Sequence, residues 1–316
     1  MTDLPAGLSI PAPDRITLDD IIAMYEALRA HAPSAGTAEG EPRDVARLVD
    51  ILPHVDALVL DGFGVINVGA SRIDGIVEFF EAAATAKVAV TVLTNGAGQG
   101  ADASWIKYRD WELPITRQQV VSSRDALEAA LPAVAGGRHI ASLGPMARPL
   151  GFAGELTFAA DPDLFERAGC FAFLGSAGWD DTLQARLETA LSRGGVDLLV
   201  GNPDISAPLG GCFSAEPGYW ALRAMQATGV RPRWYGKPYQ DAFDLVLARL
   251  EANEGRSFDR RRVAMVGDSL HTDILGARAA GLQGVLLTGY GLFSEGGAHD
   301  MIRACGIVPD WIVATL

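Results

Sequence analysis

Val55-Asp56-Ala57-Leu58-Val59-Leu60-Asp61-Gly62-Phe63-Gly64-Val65-Ile66 is the stretch on which the fold turns. A short, mostly apolar run ends on a carboxylate and two glycines. Such a run suits a strand buried on both faces of a parallel sheet. The pattern continues outward. Ile73 to Ala86 reads as a helix, Val88 to Leu93 as a second buried strand, and Ala101 to Trp111 as another helix. It returns later as Arg233-Trp234-Tyr235, a helix from Gln240 to Ala252, Val263 to Val266, a helix from Leu270 to Ala280, and Val285 to Leu287. Strand–helix alternation predicts an α/β fold, a doubly wound parallel sheet with helices on both faces.

Between these two groups lies a second series. Val120-Val121 precedes a helix start at Ser122-x-x-Asp125; Cys170 to Leu174 reads as a strand, Asp181 to Arg193 as a helix and Val196 to Val200 as a strand. This is enough for an inserted α/β unit of about 100 residues. The expected organisation is an N-terminal extension and linker at 1–42, a core at 43–117 and 216–316, and an inserted cap at 118–215. Within the extension, Thr17-x-x-Asp20 is a capping-box start for a short helix carrying Ile21, Ile22, Tyr25 and Leu28. Pro33 to Pro42 reads as a linker, and Arg43 to Leu52 as a second short helix.

Composition narrows the function. Of 316 residues, 26 are Lys or Arg and 39 are Asp or Glu, a formal charge of −13. That balance argues against a nucleic acid or an anionic membrane as the main partner. Three scattered cysteines form neither a disulfide framework nor a zinc pattern. With no signal-peptide pattern and no long apolar run, the expected location is the cytoplasm.

In an open parallel sheet, ligands bind beyond the carboxyl ends of the strands. The residues that follow the strands are Asp61-Gly62-Phe63-Gly64, then Thr94-Asn95-Gly96, then Gly236-Lys237-Pro238, and Gly267-Asp268-Ser269 with Asp273 a turn further on. A carboxylate can attack phosphorus, other carboxylates can hold Mg²⁺, and a hydroxyl with an ammonium can bind phosphoryl oxygens.

This set resembles the haloacid dehalogenase (HAD) superfamily, and best its class IIA, the NagD-like and 4-nitrophenylphosphatase-like group. The resemblance covers roughly residues 50–316. It rests on Leu60-Asp61-Gly62-Phe63-Gly64-Val65, Leu93-Thr94-Asn95-Gly96, Gly236-Lys237-Pro238, and Val266-Gly267-Asp268-Ser269-Leu270-His271-Thr272-Asp273-Ile274. Asn202-Pro203-Asp204 is similar to a recurrent cap motif of that class. The resemblance implies a Rossmann-like core with a C2-type cap, and a phosphatase acting on a small phosphorylated metabolite. It makes Asp61 the nucleophile, with Thr94 and Lys237 holding the phosphoryl group. Asn95, Gly96, Asn202 and Asp204 join these on the substrate. Mg²⁺ falls to Asp61, Asp268 and the Phe63 carbonyl, supported by Asp273. A homodimer is left open.

One position departs from the family. Its phosphatases carry Asp two residues after the nucleophile, where it protonates the leaving group and activates water. Here that residue is Phe63, which transfers no proton. Glu216 and His271 are the candidate substitutes. Three other readings follow. One is a protein that binds Mg²⁺ and a phospho-ligand without turnover. Another is a dehalogenase, since Asp61-Gly62-Phe63-Gly64 resembles motif one of those enzymes, although they lack paired acids like Asp268 and Asp273. The third is a dinucleotide site at Gly96-Ala97-Gly98-Gln99-Gly100-Ala101, which lacks the acid expected after the next strand. Trp105, Tyr108 and Trp111, on one helix, read as packing.

Overall fold

The computed structural model describes residues 4–34, 40–209 and 211–316. The centre of the stretch read as a linker, 35–39, lies outside the described residues. Seven strands form the main sheet in the order Arg43–Arg47, Trp311–Thr315, Gln283–Leu287, Val263–Gly267, Ala57–Leu60, Ala89–Thr94, Val120–Ser122. Every pairing in it is parallel. The central strands are buried on both faces, which is why they are short runs of Val, Leu, Ala and Met rather than alternating patterns.

Register sets the site. Leu60 lies opposite Val266 on one side and Val92 on the other. Asp61, Asp268 and Thr94 therefore leave the sheet at the same carboxyl edge, next to one another.

A second, four-stranded parallel sheet is formed by Arg233–Trp234, Asp197–Val200, Cys170–Phe173 and Ile140–Leu143. In sequence it falls between the Val120–Ser122 and Val263–Gly267 strands of the main sheet. Its strand edges differ from the 118–215 bounds at both ends. Val120–Ser122 pairs with Ala89–Thr94 in the main sheet. Arg233–Trp234, read as a core strand, pairs instead with Asp197–Val200. The slot beside Ala57–Leu60 is already filled by Val263–Gly267, and Trp234 packs into the cluster around the inserted sheet.

Arg43 to Leu52 is not a helix. Arg43–Arg47 is an exposed edge strand on Trp311–Thr315, and Leu48–His54 is a 3₁₀ turn. The pairing that creates this strand comes from the far end of the chain, beyond any local pattern. The helix expected from Leu270 begins as a π-helical turn, Leu270–Ile274, and becomes α-helical over Leu275–Ala279. Such turns are frequent at functional sites.

The N-terminal helix Leu18–Ala27 starts at the expected box. Thr17 Oγ1 accepts from Asp20 N at 3.2 Å, and Asp20 Oδ2 accepts from Thr17 N at 3.0 Å. Its Ile21, Met24 and Tyr25 share one apolar cluster with Tyr219, Trp220 and Met225 of the helix Pro217–Thr228, and with Leu270, Ile274 and Leu275. It thus fills the angle between the two sheets. Tyr108 is core, with Trp105 and Trp111 packed against the same cluster. No helix among the described residues is long and apolar enough to cross a membrane.

Candidate active site

Asp61 follows directly on the buried strand, and its N–H donates to Val266 O at 2.8 Å. Its Oδ1 accepts from Gly62 N at 2.6 Å, which turns the carboxylate back over the sheet edge. Gly62 admits no side chain: a Cβ there would lie 2.6 Å from the Tyr108 hydroxyl and 3.5 Å from Thr94 Oγ1. The Thr94 hydroxyl is therefore beside the turn that follows Asp61. Gly64 has φ +76°, and a Cβ on it would collide with the Asp268 carboxylate.

Lys237 is 1% exposed. Its Nζ lies 2.6 Å from Asp61 Oδ1 and 2.7 Å from Asp273 Oδ1. Asn95 fixes the lysine's backbone: Oδ1 accepts from Lys237 N at 2.7 Å, and Nδ2 donates to Lys237 O at 3.0 Å. The same Nδ2 donates to Asp204 Oδ1 at 2.8 Å. Asn95 thus joins the core loop, the lysine and the loop of the inserted unit. Asp268 Oδ2 accepts from Leu292 N at 3.0 Å, and Asp273 Oδ2 accepts from Ser269 N at 3.1 Å.

Oxygen atoms of Asp61, Asp268 and Asp273 lie within 4.8 Å of one another. They are buried, and the half-buried Asp204 lies close by; Lys237 contacts Asp61 and Asp273. Burial pushes Asp61 and Asp204 up to about 7 despite Lys237, and Asp268 well above the usual carboxylate range. Lys237 is held above its ordinary value: burial opposes its charge, but Asp273, Asp61 and Asp204 outweigh it. A cluster this short of positive charge, with oxygen donors so close, fits a divalent cation.

Two cavities open here. One of about 40 Å³ is lined by Tyr25, Asp61, Phe63, Asp204, Ser206, Asp268 and Ser269, among others. The other is a cleft of about 830 Å³ between the two sheets, bordered by Phe63, Gly96, Trp179, Asn202, Glu216 and Trp220. Phe63 stands between them. Of the residues read from the sequence, Asp61, Phe63, Asp204 and Asp268 meet at the small pocket. Lys237 and Asp273 pack behind Asp61, with Thr94 and Asn95 alongside. Asn202 and Gly96 face the larger cleft instead. Asn202 also orients its neighbour, its Oδ1 accepting from Asp204 N at 2.9 Å.

The two candidate proton donors lie elsewhere. Glu216 borders the large cleft and accepts from Ser214 Oγ at 2.7 Å; burial raises its pKa. His271 turns away from the carboxylates, with Nε2 2.6 Å from Glu26 Oε1. Within 96–100 it is Gly100 that needs to be glycine: its φ is +77°, and a Cβ on it would lie 3.1 Å from Arg124 Cδ. Tyr25 gave no signal in the sequence, since nothing local ties position 25 to motifs beginning at Asp61.

An α/β sheet with acids, a hydroxyl and one buried lysine at its carboxyl edge has the donors to bind an anion beside a cation. Residues 58–148 match the model of haloacid dehalogenase-like hydrolases, and 234–315 a second HAD-hydrolase-like model. A 4-nitrophenylphosphatase of Schizosaccharomyces pombe is 31% identical over 119 residues, 38% of this chain and 37% of that protein. A glycerol-3-phosphate phosphatase of Gallus gallus is 29% identical, covering 84% of this chain and 91% of its own. The fold is shared with a HAD-superfamily structure from Cytophaga hutchinsonii: TM-score 0.74 and 23% identity, over 87% of this chain and 98% of that one. The chain belongs to the haloacid dehalogenase-like hydrolase superfamily, among its class IIA phosphatases.

Proposed function

We propose that the protein is a Mg²⁺-dependent phosphoric monoester hydrolase that works through a phosphorylated Asp61, on a small phosphorylated metabolite, and slowly. The observation that carries the reading is the contact of Lys237 Nζ with both Asp61 and Asp273 in a buried carboxylate cluster. Lys237 and the Thr94 hydroxyl bind phosphoryl oxygens and hold them in line with Asp61. The Asp61 carboxylate attacks phosphorus, the ester oxygen departs with its bonding pair, and water later cleaves the acyl phosphate. Asp61, Asp268 and the Phe63 carbonyl would hold the cation, with Asp273 behind them, and it would supply neutralisation of phosphoryl charge. The cleft beside Phe63 receives the leaving group. The relatives named phosphatases for glycerol 3-phosphate and 4-nitrophenyl phosphate support a small substrate.

Phe63 is why the reaction is slow. Without a carboxyl at that position neither the leaving oxygen nor the attacking water has its usual proton partner, a loss of about 10²–10⁴ in rate. Phe63 also favours a second reading, a protein that binds its phospho-ligand without turning it over. Turnover of 4-nitrophenyl phosphate with Mg²⁺, abolished in Asp61→Asn, supports hydrolysis. Mg²⁺-dependent phosphate binding with no turnover supports the second reading.

A further inference from the structure

Tyr25 lies on the N-terminal helix, outside both stretches that match the family models. It nevertheless lines the small pocket together with Asp61, Asp204 and Asp268. Its ring is stacked on His271, with centroids 5.0 Å apart and planes 4° from parallel. Its hydroxyl accepts a hydrogen bond from Ile205 N at 3.1 Å. A phenol that accepts one bond still has a proton to give. Among the described residues, no acceptor takes it.

The N-terminal segment that carries Tyr25 is held on both sides. Glu26 binds His271 on the π-helical turn that also bears Asp273. On the side of the inserted unit, the Tyr219 hydroxyl donates to Pro11 O at 2.6 Å, and Gln226 Nε2 donates to Leu8 O at 2.8 Å. The phenol is therefore fixed relative to Asp61 and to the Asn202–Ser206 loop together. Burial, with the nearby charges of Asp204, Asp273 and Asp268, keeps it in the protonated, donating form.

We propose that Tyr25 donates its O–H to an oxygen of the phosphoryl group bound in this pocket, which makes the N-terminal helix part of the active site. The inference rests on the phosphoryl-binding reading above. It adds a donor from a segment outside the matched family regions, in a site whose Phe63 supplies none.

Binding of inorganic phosphate to the Mg²⁺-loaded full-length protein, followed by calorimetry, tests it. Tyr25→Phe keeps the ring stack and loses the donor. Its affinity for phosphate falls about ten- to a hundredfold, the worth of one hydrogen bond to a charged group. Its affinity for Mg²⁺ alone stays within twofold. Site-specific replacement of Tyr25 by 3-fluorotyrosine separates donor from acceptor. A fluorinated phenol donates better and accepts worse, so phosphate binds at least as tightly as to wild type. Unchanged phosphate affinity in Tyr25→Phe overturns the proposal. So does parallel weakening in both variants with a lowered melting temperature, which marks a purely structural role. Wild-type protein that binds no phosphate with Mg²⁺ overturns the proposal and the phosphoryl-binding reading together. Phosphate binding without ester turnover refutes only the hydrolase reading and leaves the Tyr25 comparison in force.

Discussion

Lys237 Nζ stands 2.6 Å from Asp61 Oδ1, an ammonium against the atom group assigned the attack on phosphorus. The contact draws one residue from after the inserted unit and one from before it, and both are buried. Lys237 both lowers the cost of three close carboxylates and offers a charge to the incoming phosphoryl group. Lys237→Met removes the ammonium in direct contact with Asp61 and Asp273. Loss of one member of a buried pair costs about 3–5 kcal/mol. The expected result is a markedly lower melting temperature in chelator and partial recovery in Mg²⁺. A variant that melts with wild type in chelator contradicts the assignment of Lys237 as the balancing charge.

The raised carboxylates set a pH dependence. Burial pushes Asp61 and Asp204 up to about 7 in the folded, cation-free chain, from about 3.8 for a free carboxylate. The folded state therefore holds more protons than the unfolded one across that interval. Their stabilising contribution is complete below about pH 4 and is lost as pH rises through about 7. Mg²⁺ favours the ionised forms and must displace protons at low pH. The rise in melting temperature on adding Mg²⁺ is thus larger at about pH 8 than at about pH 5, and a hundredfold excess over Kd adds about 2.7 kcal/mol of stability. Thermal melts in chelator and in Mg²⁺ at both pH values measure this; equal shifts refute the charge cluster as the cation site.

Phe63→Asp restores a proton-transfer group at the family's position. Phe63 is only partly buried and borders both cavities, so a carboxylate there keeps some water. Turnover rises by up to about 10²–10⁴. The gain in the rate of Asp61 phosphorylation is larger for an alkyl phosphate than for 4-nitrophenyl phosphate, because nitrophenolate departs without an acid. Single-turnover rates on the two esters report that difference, and steady-state rates report the gain in water attack. A folded variant with no gain on either shows that Phe63 is not what limits the rate.

The short buried strands, Ala57–Leu60 and Val263–Gly267, were legible because burial on both faces leaves a continuous apolar run. Their carboxyl ends, with that of Ala89–Thr94, exposed Asp61, Asp268 and Thr94 to a local reading for the same reason. Ile140–Leu143 and Trp311–Thr315 go unread, and two further strands are misread. Arg43–Arg47 is a strand only because Trp311–Thr315 lies beside it. Arg233–Trp234 looked like core but joins Asp197–Val200. In both, the partner decides, and a strand's partner is not written in its own residues. Tyr25 was hidden in another way. Its helix was evident from the Thr17–Asp20 box, yet helical periodicity tells which face is buried and not against what. The junction between the sheets, where Tyr25 meets His271 and Ile205, exists only in three dimensions.

The central claim is that Asp61 carries the phosphoryl group during turnover. Phe63 makes this directly visible. Nitrophenolate leaves without an acid, so phosphorylation of Asp61 from 4-nitrophenyl phosphate is fast, whereas water attack without a base is slow. Rapid mixing with Mg²⁺ is expected to release a burst of nitrophenolate close to one per protein molecule. Acid quenching at the end of the burst, followed by peptide mass spectrometry, is expected to place one phosphoryl group on Asp61. Steady hydrolysis with no burst, and with the Asp61 peptide unmodified at every quench time, would contradict the account.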